Sequence, residues 1–146
     1  MAFTIVVGYD GSDCAKAALD EAIGLAQKLS GKVLVTYAYG GPRSYSGAPL
    51  TPRKKLKEVG EKLLDEALAH AGDAGTLVEP VLVDDNATEG LLDVARRHGA
   101  GMIVVGSRGQ SPIGGMLLGS TTYKLVHSTT EPLLIVPSAR TQRAAG

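Results

Sequence analysis

No tryptophan, one phenylalanine and one cysteine occur among the 146 residues, and each scarcity removes a class of function. A single thiol, Cys14, closes no intrachain disulfide, which agrees with a reducing cytoplasm, and it reads as a small apolar filler on the first helix. So few aromatic rings leave no platform on which nucleic-acid bases would stack. Lysine plus arginine equals aspartate plus glutamate at 15 each, so no basic field draws in nucleic acid or an anionic membrane. Any anion specificity has to be local. No apolar run approaches the roughly 20 residues that cross a bilayer. Phe3 to Gly8 is too short, and too soon followed by Asp10, for a signal peptide. The expectation is a cytoplasmic protein with neither nucleic acid nor membrane as partner.

What the chain does contain is apolar runs rich in β-branched residues: Thr4 to Val7, Val33 to Tyr37, Met102 to Val105 and Leu133 to Val136. A fifth, Leu77 to Val83, is broken by Pro80 and suits an edge strand. Helical patterns alternate with them. Ala15, Ala18, Leu19, Ala22, Leu25, Ala26 and Leu29 mark one face, with Ser12 as N-cap and Gly31 as stop. Leu56, Val59, Leu63, Leu64, Ala67 and Leu68 mark the next. A third helix starts near Asn86 or Thr88 and carries Leu91, Leu92, Val94 and Ala95. A fourth runs from about Gly119 to Ser128. Strands apolar on both faces belong in a parallel sheet covered by helices, so the pattern predicts one doubly wound α/β domain over residues 1–138. Residues 139–146 form a polar, basic tail expected to fray. The glycine- and proline-rich stretch from Gly40 to Pro52 reads as a loop, either a surface insertion or a lid.

The chemistry concentrates between Met102 and Thr121. The apolar run opens into Gly106-Ser107-Arg108-Gly109, and nine residues further on Gly119-Ser120-Thr121 heads a helix. Glycines after a buried strand bring backbone N–H groups close to an anion, and a helix start adds its unpaired N–H groups and the positive end of its dipole. The Ser120 and Thr121 hydroxyls add donors. This reads as a phosphate cradle, hence nucleotide binding; the alternative is a glycine loop that only turns a strand into a helix. In open α/β sheets ligands sit beyond the carboxyl ends of the strands, where Asp10 of Tyr9-Asp10-Gly11-Ser12 would face the cradle. Asp10 suits ribose hydroxyls or a turn; Ser12 suits a site or a cap.

These segments, with Val6-Val7-Gly8-Tyr9-Asp10-Gly11-Ser12 and Pro132-Leu133-Leu134-Ile135-Val136, resemble the universal stress protein family over nearly the entire chain, and the glycine spacing resembles its ATP-binding branch. The resemblance implies a five-stranded parallel sheet in the order 3-2-1-4-5 with ATP, AMP or another adenine nucleotide between strands one and four. Asp10 would meet the ribose and Ala38 the adenine. Gly106, Gly109 and Gly119, with Ser120 and Thr121, would hold the phosphates, and Arg108 would add a phosphate contact. Where members often carry a glycine and then a proline beside the adenine, this chain has Asp85 and Ala87. The edge strand Leu133 to Val136, apolar throughout and expected to be buried on both faces, would pair with a second copy in a homodimer.

Catalysis has little support in the sequence. Gly106-Ser107-Arg108-Gly109-Gln110-Ser111 lacks the lysine and hydroxyl of a P-loop, and His70, His98 and His127 show no metal-ligand spacing. No catalytic residue or protein metal ligand is assigned; Mg²⁺ or Mn²⁺ would arrive on the nucleotide's phosphates. Three readings stand: a nucleotide-regulated binding or signalling module, a slow ATPase or phosphotransferase, and a structural dimer module that binds nothing.

Overall fold

A computed structural model describes residues 2–40, 52–108 and 118–138. Gly109, all but the ends of the Gly40 to Pro52 stretch, and the tail 139–146 lie outside the described residues. Five strands, β1 (Thr4–Gly8), β2 (Lys32–Ala38), β3 (Val78–Val83), β4 (Met102–Gly106) and β5 (Leu133–Val136), form one parallel sheet in the order β3-β2-β1-β4-β5. Helices α1 (Asp13–Leu29), α2 (Arg53–Ala71), α3 (Ala87–Arg97) and α4 (Ser120–Ser128) connect them, and a 3-10 segment, Gly72–Leu77, joins α2 to β3. Pro80 sits on the edge strand β3, where its missing N–H costs little.

Strand alternation sorts the core into two layers. Ile5, Val7, Val33, Val35 and Val104 pack under α1 and α2 with Leu19, Ala22 and Leu64. Val6, Leu34, Ile103 and Val105 pack with Leu91, Val94 and Leu125 of α3 and α4. Ile5, Val6 and Val7 are wholly buried, and each such side chain removed from water contributes about 1.5–3 kcal/mol. With both faces covered, polar chemistry is left to the loops at the strand ends.

Three expectations about the helices are corrected. Val59, placed on the inner face of α2, is 45% exposed, while Gly60 beside it is buried because the Tyr37 ring and Leu82 occupy the space where a side chain would project. Leu29 likewise faces out at 49%. Helix α1 stops one residue earlier than its glycine suggests: Ser30 takes the left-handed conformation, φ 53°, as C-cap. Gly31 serves packing instead, because a Cβ there would collide with the carbonyl oxygen of Phe3. The neighbouring positions therefore respond oppositely. Gly31→Ala is expected to lower stability by about 1–3 kcal/mol through overpacking, and Ser30→Gly to raise it by up to about 1 kcal/mol by relieving left-handed strain, both read by urea unfolding.

Candidate functional site

The sheet order reverses between β1 and β4, and the crevice beyond their carboxyl ends is where the polar loops converge. A cavity of about 330 Å³ lies there. Asp10, Ala38, Gly106, Arg108, Gly119, Ser120 and Thr121 all line it, so seven of the eight site residues expected from the sequence share one wall system, and Gly109 lies outside the described residues.

The ends of the cavity differ in chemistry because different elements build them. On the β2 side stand Thr36, Tyr37 and Ala38 with Ala87 and Leu91 of α3, a largely apolar wall. On the β4 side stand Val105, Gly106 and Arg108 with the start of α4. Asp10, at the end of β1, lies between them; its Oδ1 accepts the Ser12 N–H at 3.0 Å, so the carboxylate shapes the turn through Gly11, φ 81°, as well as facing the cavity. The Ser12 hydroxyl accepts the Ala15 N–H at 3.2 Å and so caps α1, and the residue also lines the cavity.

Helix starts are the second source of polarity. Asn86 caps α3 by accepting the Glu89 N–H at 2.9 Å, just as Ser12 caps α1. Helix α4 differs: Gly119 occupies its N-cap with no side-chain cap bond, and no acidic residue stands in its first turn. Its leading N–H groups precede the first intrahelical hydrogen bond, from Tyr123 N–H to the Gly119 carbonyl at 2.9 Å, and the residues that carry them, Gly119 to Thr122, line the cavity. The helix start is fixed to β4 twice. Gly119 N–H donates to the Ser107 carbonyl at 2.7 Å, and the buried Thr122 hydroxyl donates to the Gly106 carbonyl at 2.8 Å.

Gly106 owes its identity to packing as much as to any ligand. A Cβ there would lie 2.5 Å from the Cβ of Cys14 and 2.7 Å from its carbonyl carbon, so the first turn of α1 fills that space. Cys14 is thus more than filler: its Sγ lies 3.7 Å from the Ser107 Oγ. Burial pushes its thiol up, but hydrogen bonds from the Ser138 hydroxyl, the Arg108 backbone and the Ser107 hydroxyl outweigh that and hold it below the ordinary value. Asp85, flagged as a departure at the adenine edge, turns its carboxylate to the Asn86 backbone N–H at 2.8 Å, and Ala87 lines the cavity in its place.

Sequence reasoning missed Thr36, Tyr37, Leu91 and Thr122 as lining residues. Thr36 and Tyr37 precede Ala38 on the same strand end and were within reach of the same argument; Leu91 and Thr122 look like ordinary helix-core positions until the helices are docked. The histidines lie elsewhere: His70 Nε2 is 2.8 Å from Asp20, and His127 packs edge-on to Tyr123 with ring centroids 4.8 Å apart. Among the described residues no three His, Cys, Asp or Glu side chains gather as metal ligands.

Two tyrosines reach the cavity despite the aromatic scarcity. Tyr9 is 3% exposed, and its hydroxyl has no hydrogen-bond partner among the described residues. Burial, then the charges of Glu66, Asp10 and Asp20, raise its pKa above the ordinary 10.0, and burial followed by Asp10 does the same for Tyr37. A phenol that resists ionising in the folded state favours that state fully while pH stays below 10.0; the contribution is lost as pH rises through the folded value, because the unfolded chain ionises first. Urea unfolding from neutral pH to above 10.0 is expected to show a shallower loss of stability in Tyr9→Phe than in the unchanged chain.

Comparison with known proteins agrees with this architecture. The model of the Universal stress protein family matches residues 1–137. A universal stress protein of Bacillus subtilis strain 168 is 32% identical over 143 residues, covering 90% of this chain and 97% of the relative. One from Thermus aquaticus is 35% identical over 135 residues, 91% of this chain and 97% of its own length. Among solved structures, a universal stress protein in complex with cAMP superposes with a TM-score of 0.67 at 31% identity, covering 93% of this chain and 97% of that one. With the sheet order, the cavity at its reversal point and a match along nearly its full length, this chain belongs to the universal stress protein family.

Proposed function

We propose that this chain binds an adenine nucleotide in the β1–β4 crevice and acts as a nucleotide-regulated binding or signalling module of the cytoplasm. The observation that carries the reading is the uncapped start of α4, whose residues Gly119, Ser120 and Thr121 line the same cavity as Asp10. Phosphates fit there because helix N–H groups and the helix dipole favour negative charge where no side chain already supplies it. The base would take the apolar end at Ala38, Ala87 and Leu91, Asp10 would meet the ribose, and Arg108 with Gly106, Gly109, Gly119, Ser120 and Thr121 would serve the phosphates. ATP and AMP share these features, and Mg²⁺ or Mn²⁺ would be carried by the phosphates. The cAMP complex of a relative 31% identical supports the adenine preference. Phosphate occupancy would tighten α4 on β4 and so alter the face beside β5.

That face favours a homodimer. Among the described residues no strand lies outside β5, and Leu133, Leu134 and Ile135 are only half-buried, contrary to the expectation of burial on both faces. Their inner surfaces do reach both core layers, Leu134 one and Leu133 and Ile135 the other. Tyr123 and Val126 of the adjacent α4 are 57% and 47% exposed. An open backbone edge beside apolar side chains suits pairing with a second copy.

Two experiments test these readings. In a thermal-shift assay on nucleotide-stripped protein, ATP at about a hundredfold excess over its dissociation constant is expected to stabilise by roughly 2.7 kcal/mol, which for this size raises Tm by about 5–10 °C. Ser120→Glu is expected to abolish that shift while itself raising stability by about 0.3–1 kcal/mol, since a carboxylate suits a helix start yet repels phosphate. A flat response to all adenine nucleotides in the unchanged, folded chain refutes the reading. For the dimer, Ile135→Pro, which removes an N–H from the outer edge of β5 and leaves its bonds to β4 in place, is expected to give monomers by analytical ultracentrifugation; a dimer that survives the change refutes the β5 interface.

A further inference from the structure

Behind the apolar end of the cavity the backbone approaches so closely at Gly40 that no side chain fits there. Beyond Ala38, the Tyr39 N–H donates to the Val83 carbonyl at 2.9 Å, and the Gly40 N–H donates to the Asp85 carbonyl at 2.8 Å. These two bonds tie the segment after β2 to the segment after β3, and the tied segments carry Ala38 and Ala87 into the cavity wall. The approach is so close that a Cβ on Gly40 would lie 2.5 Å from the Asp85 carbonyl carbon and 2.6 Å from its oxygen. Helix α3 presses in from the other side: a Cβ on Gly90 would lie 2.7 Å from Val83 Cγ1 and 3.2 Å from Ala38 Cβ. On the outside, Arg53 at the start of α2 pairs with Asp84.

We propose that this clasp between Gly40 and Asp85 is the element that makes binding depend on the base: it positions Ala38 and Ala87 as a rigid end wall for a nucleobase, while the phosphate end is built independently on β4 and α4. The inference rests on the nucleotide reading above. Gly40 and Gly90 touch no part of the cavity surface themselves, so they act as positioning residues. The working part of Asp85 is its carbonyl, since its carboxylate is engaged by Asn86.

The test is the ratio of ATP affinity to inorganic triphosphate affinity, measured by calorimetry, directly for ATP and by competition for triphosphate. Gly40→Ala forces the two segments apart, and the ratio is expected to fall about tenfold or more, the scale set by a mismatched apolar wall, with triphosphate affinity unchanged. Asp85→Ala keeps the carbonyl and is expected to keep the ratio. If Gly40→Ala does not fold, Gly90→Ala displaces the same wall from α3 and carries the test with the same expected fall. A folded Gly40→Ala or Gly90→Ala protein with an unchanged ratio overturns the inference, as does an equal loss for both ligands. An Asp85→Ala protein that loses the ratio overturns it in favour of the carboxylate. Absence of ATP binding by the unchanged chain is a separate failure, of the nucleotide reading itself, and removes this inference with it.

Discussion

The meeting of three backbones at the end of β4 is the constraint on which the site depends. Gly106 has no space for a side chain because the first turn of α1 lies against it at Cys14, and its carbonyl takes the Thr122 hydroxyl from α4. The next residue, Ser107, receives the Gly119 N–H. A strand end, one helix start and a second helix start are thereby held together, and the start of α4 is aimed across the crevice. A side chain at Gly106 would push α1 away and with it the turn that carries Asp10, so a single steric requirement couples both polar loops.

The core makes that arrangement possible without taking part in it. A sheet covered on both faces buries Thr4 to Val7 of β1, and the Thr36 hydroxyl buried beside it is satisfied by the Leu34 carbonyl, so the polar groups open to a ligand gather at the carboxyl edge. Within that edge the chain separates two tasks. The β4–α4 side offers unpaired N–H groups and hydroxyls, while the β2–β3–α3 side offers a wall of small apolar residues braced by backbone hydrogen bonds. The polar groups and the apolar wall are thus built from different elements.

The clearest departures from the sequence pattern arise where one element presses on another. Periodicity alone put Val59 inward, but the Tyr37 ring and Leu82 claim the space above Gly60 and rotate the helix so that Val59 faces water. A glycine after a helix ordinarily marks its left-handed stop, yet Ser30 takes that conformation here because Gly31 is needed against Phe3. Asp85 was legible as a departure at the base end; that its carbonyl, and not its carboxylate, carries structural weight followed only from its contact with Gly40.

The sequence by itself determined the fold class, the edge position of the strand with Pro80, the start of a third helix near Asn86 or Thr88, and the two loops that hold the polar chemistry. These are local properties: side-chain periodicity, backbone freedom and capping act within a few residues, so they can be read along the chain. The tertiary structure alone decided that Tyr37, Leu91 and Thr122 line the same cavity as Asp10 and Ser120, that β5 is left half-exposed, and that Gly40 meets Asp85. Those facts depend on the docking of elements dozens of residues apart, where excluded volume between backbones, which leaves no periodic mark on a sequence, selects which neighbours fit.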